Sequence, residues 1–340
     1  MMGQRPPNAV RVAASLALGA ALLVYFLQRA PLGEVWAAVT HVRPGYLLAA
    51  VAAALLSYAL RALRWGLILR PAGRAGTVPL LGSTAAGFAV STVLPARAGE
   101  VVRPLVLAAR CRLPAAATLA SIATERLLDL ASVLALFAVG VVLAREHLVP
   151  ASIPALTRSA ALAAGALIVG VGLMAALLRN PAGVSAALSR RLPRRFRERG
   201  ARVVDHLLAG IVAVRQPRNV AALTLASLAV WLPVCWQIQW TARAFHLHIP
   251  LTASFVVLGV SILGLAVPTP GGVGAFHAAV QFALTAILGL DLKLATAYAL
   301  VHHAVCFFPI TVLGLGYLAA SGIGLRRAVA AAEPGEAGGT

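Results

Sequence analysis

A chain of 340 residues that is 60% hydrophobic and only 11% charged is too apolar for a soluble globular domain. Its formal charge of +19 invites a nucleic-acid reading, but the arginines fall between hydrophobic runs, where positive charge marks the cytoplasmic face of a membrane protein. Three scattered cysteines, Cys111, Cys235 and Cys306, show no CxxC spacing, so neither a disulfide framework nor a metal site is expected, and no cofactor is implied.

Apolar runs of membrane-crossing length follow one another along the chain. The first, 12–27, comes after Arg5 and Arg11; it is long for a cleaved signal and reads as an uncleaved first span. A second, 46–60, precedes the cluster Arg61, Arg64, Arg70 and Arg74. The run 114–144 forms the next span, and 160–178 follows a short polar loop. Ten arginines against Glu198 and Asp205 then fill 179–218, a polybasic loop that would attract anionic lipid headgroups. A fifth span begins at 220–231, and Trp231, Trp236 and Trp240 toward its outer end read as an interfacial aromatic belt. The last span carries Tyr298, His302 and His303, read as polar packing, and a disordered tail is expected over 323–340.

Two segments interrupt this pattern. Val93-Leu-Pro-Ala-Arg-Ala-Gly-Glu-Val-Val-Arg103 and Val267-Pro-Thr-Pro-Gly-Gly-Val-Gly-Ala-Phe-His277 place prolines, glycines and charges at membrane depth. Such backbone survives only when buried in protein or lining a wet cavity. By the positive-inside rule the N-terminus, 61–74, 179–218 and the C-terminus are cytoplasmic. Segment 77–110 must then begin and end on the cytoplasmic side, and segment 251–289 on the outer side. Each folds back as a re-entrant hairpin. Pro95 and Pro268 are 173 residues apart, as are Gly99 and Gly272. The expected fold is an all-α polytopic membrane protein of about six spans plus two opposed re-entrant hairpins. The halves 1–144 and 145–322 form an inverted repeat, a transporter architecture.

Chemistry concentrates on a few residues. Glu125, Arg126 and Asp129 lie inside the run 114–144, each costing about 2.5–3.5 kcal/mol at a helix centre on insertion scales. Ser121, Glu125 and Asp129 repeat every four residues and share a face, while Arg126 points toward a neighbouring segment. A polar translocation path is the functional reading and a structural ion-pair knot the alternative. In the first broken segment Pro95 ends one limb, Gly99 permits the turn, and Glu100 is spaced to pair with Arg103. A half-helix starting near Gly99, with Arg97 and Arg103 beside it, suits a phosphate; a loop of snorkelling arginines is the alternative. In the second segment Pro268 and Pro270 stop the helix, and Gly271, Gly272 and Gly274 allow positive φ. His277 falls where the next half-helix starts, as a hydrogen-bonding packer or a proton carrier.

In combination, Pro95-x-x-x-Gly99-Glu100-x-x-Arg103, Glu125-Arg126-x-x-Asp129 and Pro270-Gly271-Gly272-x-Gly274 resemble the lysylphosphatidylglycerol synthase transmembrane-domain family. The resemblance covers roughly residues 12–320. That family forms the flippase half of the multiple peptide resistance factor and also occurs as stand-alone, flippase-like inner-membrane proteins. The resemblance implies two opposed re-entrant hairpins and movement of a phospholipid or lipid-linked molecule between leaflets. Three residues past Gly274 that family usually carries a glutamate; this chain has His277. The sequence stops soon after the last span, so an attached aminoacyl-transfer domain, and with it lysyl-lipid synthesis, is not expected.

The expectation is therefore a flippase-like lipid transporter of a bacterial cytoplasmic membrane. Its partners would be a phospholipid or lipid-linked substrate and anionic headgroups at the basic loop, with self-association as a homo-oligomer and no nucleic acid. The rival is an integral-membrane transferase using Glu125 or Asp129 as base on a polyprenyl-linked sugar, although no DxD-type metal pair is present. A non-transporting accessory subunit is the third reading.

Overall fold

A computed structural model describes residues 7–28, 32–94, 98–179 and 217–321. Pro95, Arg97, the polybasic stretch 180–216 and the tail 322–340 lie outside the described residues. All regular structure among the described residues is helical: α1 (Pro7–Gln28), α2 (Leu32–Thr40), α3 (Pro44–Leu69), α4 (Thr77–Val93), α5 (Gly99–Cys111), α6 (Ala115–Leu143), α7 (Ile153–Arg179), α8 (Pro217–Ala244), α9 (Leu251–Ala266), α10 (Ala275–Phe282) and α11 (Leu292–Ala320). Five helices are long and apolar enough to cross a membrane, or six when the bent pair Ala13–Gln28 and Leu32–Thr40 counts as one. The chain is an all-α polytopic membrane protein.

Local chemistry sets the helix ends. Pro44 opens α3 at its first turn, where a missing N–H costs nothing. Asp291 caps α11 by accepting from the N–H groups of Lys293 (2.9 Å) and Leu294 (3.3 Å). The two interrupted segments do form pairs of short helices. Helices α4 and α5 flank 94–98, and α9 and α10 flank a turn that contains a 3₁₀ helix, Pro270–Gly272.

The two turns use glycine differently. Gly271, Gly272 and Gly274 adopt φ of 57°, 70° and 83°, left-handed conformations that L side chains rarely adopt, as their sequence pattern anticipates. Gly99 was expected to supply the first turn in the same way, but it is not among the positive-φ residues. Its smallness lets α5 lie against α4 instead: a Cβ at Gly99 would stand 1.7 Å from the carbonyl oxygen of Gly87.

At the centre α3 packs on α8, and Ser57 Oγ donates to the carbonyl of Val230 (2.8 Å). Around that pair the packing recurs in matched form: α4 on α11 and α9 on α6, α4 on α5 and α9 on α10, α5 on α6 and α10 on α11. Small residues bring these helices close, as lipid-embedded interfaces require in the absence of a hydrophobic drive. A Cβ at Gly314 of α11 would reach 2.1 Å from the carbonyl of Ala85, and one at Gly140 of α6 would reach 2.7 Å from Phe255 Cβ.

Two sequence readings are corrected. Arg61 and Arg64 do not follow the second span; they lie inside α3, which runs on to Leu69, and both are buried. Helix α3 can hold them because carboxylates on α6 face them. Trp231 is likewise buried rather than part of an aromatic belt, since the Arg61 guanidinium stacks 4.3 Å from its ring centroid.

Candidate functional site

Helix α6 brings its carboxylates to α3 and α5 on the face that the four-residue spacing predicts. One turn apart, Ser121 accepts from Trp65 Nε1 (2.8 Å), Glu125 meets Arg103, and Asp129 meets Arg61 and Arg64. Both oxygens of Asp129 are taken: Arg61 Nη1 donates to Oδ2 at 3.0 Å and Arg64 Nη1 to Oδ1 at 2.8 Å. Arg64 Nη1 also donates to Ser227 Oγ on α8 (3.2 Å).

Glu125 is completely buried, and its Oε1 faces three guanidinium groups: Arg103 at 2.8 Å, Arg126 at 3.1 Å and Arg64 at 3.7 Å. The pairing of Arg103 with Glu100 expected from their spacing gives way to this contact. Glu100 instead lies 4.0 Å from Arg126 Nε, so Arg126 does reach the neighbouring segment. The flat face of Arg103 rests on Trp65, 4.1 Å from the ring centroid. Its Nε and Nη2 make no hydrogen bond among the described residues, although the residue is only 3% exposed, and the same holds for Arg64 Nε and Nη2 and for Arg126 Nε. Buried donors are normally paired, so the cluster is short of acceptors among the described residues.

Among the described residues four guanidinium groups (Arg61, Arg64, Arg103, Arg126) thus meet three carboxylates (Glu100, Glu125, Asp129), one more cation than anion. A cavity of ≈ 330 Å³ opens beside this excess. Gly99, Glu100, Arg103, Arg126 and Asp129 line one side, and Pro268, Thr269, Gly271 and Gly272 line the other. The two interrupted segments therefore wall one hollow. Gly271 lies against Thr92 of α4, where a Cβ would be 3.2 Å from the threonine carbonyl oxygen. Among the described residues on the wall Arg126 is the half-exposed cation, and the first turn of α5 adds the positive end of a helix dipole.

The remaining predicted residues stand back from the walls. Glu125 sits behind Arg103, while Pro270 and Gly274 shape the turn. His277 is buried at the third position of α10, where its Nδ1 accepts the Gly274 N–H (3.2 Å) and so caps the half-helix. Its ring stacks on His303 with centroids 4.4 Å apart, and His303 Nε2 donates to the Gly271 carbonyl (2.8 Å). Among the described residues no group of three or more His, Cys, Asp or Glu side chains could hold a metal ion.

Sequence reasoning missed Arg61, Arg64, Trp65 and Trp231, and also Thr269, which lines the cavity and whose buried hydroxyl has no hydrogen bond among the described residues. The signal for the arginines was present. Ser57, Arg61 and Arg64 share one helical face, and apolar sequence resumes after them at Leu67-Ile-Leu69.

Two broken segments, a buried carboxylate–guanidinium core on α6 and the order of all three motifs describe one family. The chain belongs to the lysylphosphatidylglycerol synthase TM region family. The family profile matches residues 12–314, which takes in every residue that lines the cavity. The chain is also similar to a protein of Haloferax volcanii named glycosyltransferase AglD, at 28% identity over 328 residues, 87% of this chain and 52% of that protein. The chain therefore spans about half the length of this relative.

Proposed function

We propose that this member of the family carries the anionic headgroup of a phospholipid or lipid-linked molecule between leaflets of a prokaryotic cytoplasmic membrane. The observation that carries the reading is the single cavity between the two broken segments, with an excess guanidinium on its wall. A phosphate would settle against Arg126, with Arg103 behind it and the Thr269 hydroxyl opposite. Charge-assisted bonds of this kind are the strong ones. The cavity suits a headgroup, since ligand pockets run to about 300–1,000 Å³, and the acyl tails would stay in the hydrocarbon.

The inverted-repeat reading belongs to this proposal. Ser57 and Val230, which touch at the centre, are 173 residues apart, the same offset that relates Pro95 to Pro268. A residue that touches its own repeat mate is what a two-fold axis through the α3–α8 contact would produce. With both termini cytoplasmic, the α4–α5 hairpin would face inward and the α9–α10 hairpin outward, and rocking one half on the other would alternate access.

Vesicles reconstituted with the protein and a fluorescent phospholipid should exchange that lipid between leaflets faster than protein-free vesicles. Arg103→Ala and the half-exposed Arg126→Ala should each slow the exchange. If the native chain matches empty vesicles across a broad lipid panel, the transport reading fails.

The name of the Haloferax relative favours a second reading, glycosyl transfer to a lipid-linked acceptor. The geometry supports it poorly, because a general base must reach the proton it takes. Glu125 is fully buried and both Asp129 oxygens are held by arginines. Mass spectrometry of lipids from a deletion strain separates the two: a missing covalent product indicates transfer, and an unchanged lipid set with altered leaflet distribution indicates transport.

A further inference from the structure

The outer face of α6 borders a second hollow, of ≈ 500 Å³, that the headgroup reading does not use. It lies between α6, α7 and α8, walled by leucines and alanines, among them Leu127, Leu134, Leu167 and Leu228. We infer that this groove holds one hydrocarbon chain of the lipid whose headgroup occupies the cationic cavity. The inference rests on the headgroup proposal and adds a site for the other end of the molecule.

Three observations join the two hollows. Leu130 lines both, so the two hollows reach the same residue of α6. Ser227 lines the groove while its hydroxyl accepts from Arg64, which in turn holds Asp129 on the cavity wall. The groove residues of α6 occupy the same turns as Glu125 and Asp129, so the two sites share one depth. A helix with its side chains is about 10–12 Å across, a distance that a glycerol backbone and ester linkage can cover in passing over Leu130.

The groove persists because α7 stands apart. It packs chiefly on α6, and its outer side chains Leu162, Ile168 and Val169 are exposed. At Gly170, on the groove wall, an added Cβ would meet no atom within 4 Å. Lipid tails are as apolar as leucine, so the groove gains nothing from hydrophobicity alone. Its contribution is shape: it fixes where one chain lies while the head is held.

Photo-crosslinking of the full chain in nanodiscs tests this. Two phosphatidylglycerol probes are used, one with a diazirine at the end of an acyl chain and one with a diazirine on the headgroup. The chain probe should label Leu128, Leu167 and Leu228 well above the lipid-facing Leu48 and Val78, and Gly170→Phe should reduce that labelling several-fold. The headgroup probe should still label the cavity wall of Gly170→Phe. Where Gly170→Phe does not fold, Ala131→Phe fills the groove from the opposite wall. Equal labelling of groove and general lipid face, or labelling unchanged by the filling variant, overturns the inference. Groove labelling without any headgroup labelling near Arg126 would instead remove the cationic-cavity reading and, with it, the link between the two ends.

Discussion

Under the proposed repeat, two regions of the molecule place different chemistry on similarly packed helices. A shift of 173 residues sets Arg64 against Gln237, Arg103 against Phe276, Glu125 against Tyr298 and Asp129 against His302. In the first half these positions carry charge. In the second they form a neutral aromatic and imidazole stack, with Phe276 and Tyr298 on either side of His302 at 5.8 Å and 5.2 Å between ring centroids. The neutral stack meets its own needs: Tyr298 donates to the Ile238 carbonyl (2.9 Å), and His302 lies 3.4 Å from the Thr241 hydroxyl. Among the described residues the charged cluster leaves guanidinium donors without a hydrogen bond beside a cavity. The stack side contributes the Pro268–Gly272 wall, and under the proposed function the charged side is the one that takes the anion.

Removing a central residue from each half is the strongest way to break this comparison. Glu125→Gln leaves Arg64, Arg103 and Arg126 without their shared carboxylate. Breaking a buried ion pair from one side costs about 3–5 kcal/mol. His302→Gln stays uncharged and keeps nearly the same side-chain volume, and volume-conserving swaps cost less than about 1.5 kcal/mol. Thermal unfolding in detergent should show a large drop in midpoint for the first variant and a small one for the second. Equal drops would mean that the cluster is no more electrostatic than its counterpart.

The architecture was legible in the sequence because lipid imposes it. Backbone breaks at membrane depth marked both hairpins, and 77–110 and 251–289 fall close to the observed pairs, Thr77–Val93 with Gly99–Cys111 and Leu251–Ala266 with Ala275–Phe282. The face carried by Ser121, Glu125 and Asp129 followed from helical spacing. The partners of those carboxylates did not, because counting arginines for topology assigns any that follow a hydrophobic run to the surface. Arg61 and Arg64 broke that assumption, and only the carboxylates on α6, more than 60 residues away, make their burial tolerable. Trp231 was misread for the same reason: the arginine stacked on it is remote in sequence.

A smaller effect separates the two turns. Gly99→Ala forces a Cβ against the Gly87 carbonyl, where backbone must move; overpacking costs about 1–3 kcal/mol. Asparagine there should be worse still. At Gly271 the strain is conformational, since φ is +57° and left-handed backbone costs about 1–2 kcal/mol for most residues. Alanine and asparagine would meet Thr92 alike at Cβ, but asparagine tolerates the left-handed region better. The order Gly271→Asn above Gly271→Ala, with the reverse order at Gly99, is the expected pattern of thermal midpoints. The same order at both sites would show that the two hairpins use glycine for one reason.

The mildest prediction concerns His277, where the family glutamate is absent. Its Nδ1 accepts the Gly274 N–H, the task that glutamate or glutamine performs at the third position of a capped helix. His277→Ala should lose this cap at a cost of about 1 kcal/mol, near the middle of the range for helix caps. His277→Gln and His277→Glu should each recover most of that loss, because both present an acceptor at the same turn. Thermal midpoints of the three variants decide the matter. If glutamine falls as far as alanine, the imidazole does more than cap, and its stacking on His303 becomes the feature to explain. If glutamine and glutamate both restore stability, the histidine replaces the carboxylate structurally.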